Sequence, residues 1–168
     1  MSWDVVLFNF QGDPPDTDDL TDAFNDPPAM GDAAEIREKV SESLPGVDWS
    51  DPAWGVLQGD GWSIEFNHQE TGETATMMLH VRGGGDPITS IANLCKANNW
   101  SAFDTTSGEF LDLDSPSHEG WTEFQEYRDL VSRTTHVFPK GDRIVALAYG
   151  TFLVAVVIMI LFVMLSKL

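Results

Sequence analysis

From Ile144 to Ser166 the chain runs for 23 residues without a charge. Leu, Ile, Val, Phe, Met and Ala dominate this run. A helix rises about 1.5 Å per residue, so one of this length reaches roughly 34 Å, against about 30 Å for the hydrocarbon core of a bilayer. A core helix of a globular domain would show a polar face over such a length, and this run has none. Gly150 is its only strong helix-breaking residue type, and Gly is common in membrane helices. The segment is therefore expected to be a transmembrane helix, with Ile144, Tyr149, Gly150, Phe152, Phe162 and Leu165 within the span. Ala146 and Gly150 form a small-xxx-small pair that permits close helix contact.

The flanks set an expectation for topology. Lys140 and Arg143 precede the span and Lys167 follows it. Positive residues favour the cytoplasmic side, which places the larger N-terminal part in the cytosol. The opening MSWDVVLFNF lacks a basic stretch, and its apolar run stops at Asn9. It reads as a strand rather than a secretory signal. The expectation is a tail-anchored, single-pass protein, and the missing leader argues against a lipid-anchor signal as the explanation of the apolar tail.

Everything before the span reads as a strongly acidic water-facing domain. All 27 Asp and Glu precede Ile144, against eight Lys and Arg, so this part carries a formal charge of −19. Such a field repels phosphate backbones and anionic headgroups. It excludes nucleic acid as an expected partner and favours a basic protein. The one cysteine, Cys95, rules out an internal disulfide and a cysteine-rich zinc site.

Periodicity predicts an α+β fold: a mostly antiparallel sheet with helices on one face, over residues 1–138, followed by a hinge at 139–143 and the span at 144–166. Residues 11–31 hold four prolines and six aspartates and no positive charge, which predicts an extended loop, pinned by Leu20 and Phe24. Asp32 caps a predicted helix to Leu44, with Ile36, Val40 and Leu44 on its buried stripe. VDWSDPAWG reads as a turn-rich bridge. GVLQ, WSIEFN and TATMMLHVRG read as a three-strand meander with Trp62, Ile64, Phe66, Met77, Leu79 and Val81 inward. Asp86 and Pro87 open a second helix, two short strands surround Thr106–Gly108, and a last helix starts near Trp121.

No catalytic motif stands out. HVRGGGDP leads through glycines into a helix start, which can bind anions, but it lacks both the phosphate-loop Lys-Ser/Thr and the G-x-G-x-x-G order. The expected role of Arg82 is pairing with an acidic neighbour. Glu65, His68 and His80 are the best metal set, and they fall short of three convergent ligands. Cys95 sits on the apolar stripe of a helix, where cysteines pack rather than react. Asp104, Glu109, Asp112 and Asp114 form no spaced acid–base pair. No cofactor is expected. Trp49 and Trp54, beside Asp48 and Asp51, are the candidate surface anchors for a partner. With His80 and Arg82 they make the partner-binding set Trp49, Asp51, Trp54, His80 and Arg82.

The blocks DWSDPAWG, GWSIEFN, MLHVRGGGDP, TSGEFLDL and GWTEFQEYRD resemble a family of small acidic bacterial proteins, over about residues 1–129. They are similar in style to antibacterial-toxin immunity proteins, which act by binding a toxin. The resemblance implies a non-enzymatic binding module, here with an added transmembrane helix and therefore expected at a bacterial inner membrane. Two alternatives stand beside it: an accessory subunit of a membrane complex, and an enzyme using the His80/Arg82 strand end.

Overall fold

The computed structural model describes residues 1–10, 12–15 and 24–136. The expected span 144–166, its flanking Lys140, Arg143 and Lys167, and Leu20 of the acidic loop lie outside the described residues. The chain divides into two units, Met1–Arg128 and Asp129–Leu168. Among the described residues no helix is long and apolar enough to cross a membrane.

The first unit is a mixed α+β structure built on a seven-stranded sheet. In chain order its strands are β1 (Trp3–Phe8), β3 (Asp48–Asp51), β4 (Trp54–Gln58), β5 (Trp62–Asn67), β7 (Met77–Gly83), β8 (Ser101–Asp104) and β9 (Glu109–Phe110). Their spatial order is β3-β4-β5-β7-β1-β8-β9, and every pairing is antiparallel. A separate two-stranded ribbon joins β2 (Gly31–Asp32) to β6 (Glu73–Thr74). Three helices complete the described chain: α1 (Ala33–Ser43), α2 (Ile88–Asn98) and α3 (Glu119–His136).

Period-two alternation decides which side of each strand is buried. Trp3, Val5 and Leu7 of β1 pair with Val81, Leu79 and Met77 of β7, and all six side chains are buried. Ile64 and Phe66 of β5 continue the same rows, as does Leu57 of β4. The helices close over this inner face. Ile36 and Val40 of α1, Ile88, Ile91, Leu94 and Cys95 of α2, and Trp121 and Phe124 of α3 join one core with these strand residues.

Local chemistry sets the helix ends. The Asp32 carboxylate accepts from Ala34 N–H at 2.9 Å and caps α1, with Glu35 in its first turn. Before α2, Asp86 accepts from Thr89 N–H at 3.2 Å and from its hydroxyl at 2.7 Å. Asn99 ends α2 in the left-handed region, at φ 55°.

VDWSDPAWG is not only a bridge. Asp48–Asp51 forms an edge strand that turns through Pro52 and Ala53 into β4. Asp48 pairs with Val56 and Asp51 with Trp54, so four residues of β3 match three of β4, with an irregular register between them. That extra residue lets Asp48 and Asp51 share the outer side while Trp49 turns inward.

Candidate functional site

The side of the sheet turned away from the helices is the candidate site. Its rows follow from register. One row runs Asp51, Trp54, Asn67, Met78, Val6, Phe103, Phe110 across the whole sheet. The neighbouring row runs Asp48, Val56, Glu65, His80, Asp4. An antiparallel sheet with one solvated face normally alternates apolar-in and polar-out. Here Val6, Trp54, Val56, Met78, Phe103 and Phe110 all occupy outward positions, each half-buried.

At the β8–β9 end the apolar row grows into an aromatic cluster. Phe8 is stacked between Phe10 at 5.1 Å and Phe24 at 5.0 Å, and Phe24 meets the edge of Phe103 at 4.9 Å. Phe10, just before the acidic loop, and Phe24, within it, both join this cluster, as was expected for Phe24.

The centre of the face is polar but internally paired. The Arg82 guanidinium donates to both Glu65 oxygens, at 3.0 and 3.3 Å. This hydrogen bonding with Glu65 raises the Arg82 pKa further. His80 Nδ1 lies 2.8 Å from Asp4 Oδ1. The His80 ring is stacked on Trp54, with centroids 5.5 Å apart and planes 20° apart. Asp4 and Glu65 thus each have an internal partner. Asp48 and Asp51, at the β3 margin, are exposed. Each uses one oxygen in its own turn, accepting from Ser50 N–H and Ala53 N–H at 2.9 Å. The added bond from the Ser50 hydroxyl, at 2.6 Å, lowers the Asp48 pKa.

Of the five residues expected to bind a partner, Asp51, Trp54, His80 and Arg82 share this face. Trp49 does not. It packs inward against Phe66 at 6.0 Å and His68 at 5.4 Å, and its Nε1–H donates to Ser41 Oγ of α1 at 3.1 Å. The bulge in β3 is the reason. The expected span residues Ile144, Tyr149, Gly150, Phe152, Phe162 and Leu165 lie outside the described residues.

The other sequence candidates sort by the same geometry. Glu65 and His80 are register partners, whereas His68 is buried on the Trp49 side, so the metal set does not converge. Asp86 occupies the start of α2 with its own carboxylate, where an anion would otherwise sit. Burial alone pushes the Cys95 thiol up to about 12, which suppresses the thiolate a nucleophile requires. Asp104 is buried and accepts from Trp3 Nε1–H and Thr106 N–H, both at 2.8 Å, which makes it a structural anchor between β1 and β8.

Sequence reasoning missed Val6, Met78, Phe103 and Phe110 as parts of a surface. The signal was present in β1 and β7. WDVVLF and MMLHVRG place Val6, Phe8 and Met78 on the side opposite the buried set, where a solvated strand would carry polar residues.

No protein-family model matches this chain, and comparison with curated proteins gave no significant match.

Proposed function

We propose that this chain is a non-enzymatic protein-binding module held at a membrane. In this reading the apolar segment 144–166 anchors the acidic unit on the cytosolic side of a bacterial inner membrane, and the outer sheet face receives the partner. The observation that carries the reading is the composition of that face. Apart from Asn67, the row that crosses it from Trp54 to Phe110 is apolar and aromatic, where a solvated sheet face would be polar.

Charge selects the occupant. The −19 of residues 1–143 repels a second copy of the same unit and repels anionic headgroups. A basic protein is drawn in and oriented by the same field. Tethering confines the module to the membrane surface, which raises its effective concentration for a partner acting there. Occlusion of a basic toxin is the form of this function that the sequence resemblance suggests.

Co-purification of the full-length chain from membranes in mild detergent tests the reading. Met78→Lys places a charge at the centre of the outer row and is expected to abolish recovery of the partner. Glu38→Gln changes the charge equally on the exposed side of α1 and is expected to leave recovery unchanged. Full recovery with Met78→Lys would contradict the proposal. Scrambling the order of residues 144–166 at constant hydropathy separates a tether, which keeps its partner, from a subunit whose span packs against other helices, which loses it.

A further inference from the structure

The outer face also indicates what chemistry its partner presents. Two of its carboxylates, Asp4 and Glu65, are already engaged by His80 and Arg82. The negative charge still open to a ligand is concentrated at the β3 margin, on the exposed Asp48 and Asp51. Asp51 is the register partner of Trp54, and Asp48 of Val56, so Asp51 lies directly across from Trp54 and Asp48 lies further along the same side of the sheet.

This margin is held in place from behind. Trp49 packs so closely on Gly55 that a Cβ there would come 2.5 Å from its ring, and its indole N–H ties β3 to Ser41 of α1. The orientation of Trp54 is set in turn by stacking on His80. An indole held opposite a carboxylate of the edge strand matches a planar cation better than a point charge. A guanidinium can lie flat on an aromatic ring while its edge donates in parallel to a carboxylate, whereas an ammonium cannot do both with the same fit.

Building on the protein-binding reading above, we infer that the β3 margin takes an arginine side chain of the basic partner, its guanidinium stacked on Trp54 and hydrogen-bonded to Asp51. The margin then acts as the specificity-determining end of the face, and the neighbouring apolar positions Met78 and Val6 supply the buried contact area.

Calorimetric titration of the full-length chain in non-ionic detergent, with oligoarginine and oligolysine peptides of equal length and at one ionic strength, tests this. Oligoarginine is expected to bind about tenfold more tightly than oligolysine. Trp54→Leu is expected to bring the ratio to about one, through loss of arginine affinity only. Asp51→Asn, on an exposed side chain whose amide oxygen can still accept from Ala53 N–H, is expected to lower the ratio as well, and it provides the test should Trp54→Leu fail to fold. Equal affinities in the wild-type chain, or a ratio that survives either substitution, would overturn the inference. Its failure is distinguishable from failure of the wider reading. Loss of the native partner with Met78→Lys, alongside equal peptide affinities, keeps the binding face and removes only the arginine.

Discussion

His68 shows how a single side chain couples this fold to pH. It is 8% exposed, neither ring nitrogen has a hydrogen bond among the described residues, and Trp49 lies against it. Burial, reinforced by the positive charge of Arg37, pushes its pKa below the ordinary value near 6.5. The unfolded chain therefore takes up a proton at a pH where the folded chain refuses it. Stability is full above about pH 6.5 and falls as the pH drops toward the lowered folded pKa. Urea unfolding followed by tryptophan fluorescence should show a decline as the pH falls below about 6.5 that His68→Leu reduces; an unchanged decline in the variant would exclude His68 as its source. Gly120 makes a second residue-scale point. A Cβ at this position would overlap the buried Asp104 carboxylate, the acceptor for Trp3 and Thr106. Gly120→Ala should destabilise the fold by about 2 kcal/mol or more, through overpacking against a buried charge. A thermal midpoint equal to wild type would contradict this.

At the scale of elements, the parts legible in the sequence are those whose signal is local. The capped start of α1, the stripe of Ile36, Val40 and Leu44, and the alternation of β5 and β7 all lie within a few residues and were read correctly. Loss of the Asp32 cap in Asp32→Ala should cost about 1 kcal/mol in urea unfolding, and no change would mean that Ala34 N–H finds another acceptor. The β3–β4 hairpin was harder to read. Pro52 and the surrounding aspartates mark a turn, but nothing within DWSD announces an irregular register, and that irregularity sends Trp49 to the core and leaves Asp51 outside. Trp49 and Trp54 look equivalent in sequence and are opposite in structure, since the facing of each is fixed by the β3–β4 and β4–β5 pairings rather than by its neighbours in the chain.

For the whole molecule, only the local part of the sheet order was legible: the β4-β5-β7 meander and the β8–β9 pair were read from the sequence, and the place of β1 between them was not. β1 lies between β7 and β8, pairing Val5 with Leu79 on one side and with Asp104 on the other. Such contacts join segments far apart in sequence, where no periodicity speaks. The outer face is a product of that long-range order, because only register brings Trp54, Met78, Val6 and Phe103 into one row. Net charge and the apolar segment, in contrast, are plain in the sequence. On the proposed function they describe an acidic module restrained near lipid but repelled from its headgroups, with its outer sheet face turned to a basic protein. The most direct measurement is site-specific photocrosslinking in cells, using a photoreactive residue at position 78 or position 38 of the full-length chain, in membranes washed with alkaline carbonate. The chain should remain in the washed membranes and crosslink to a basic protein from position 78 and not from position 38. A chain released into the wash, or equal crosslinking from the two positions, would contradict the account.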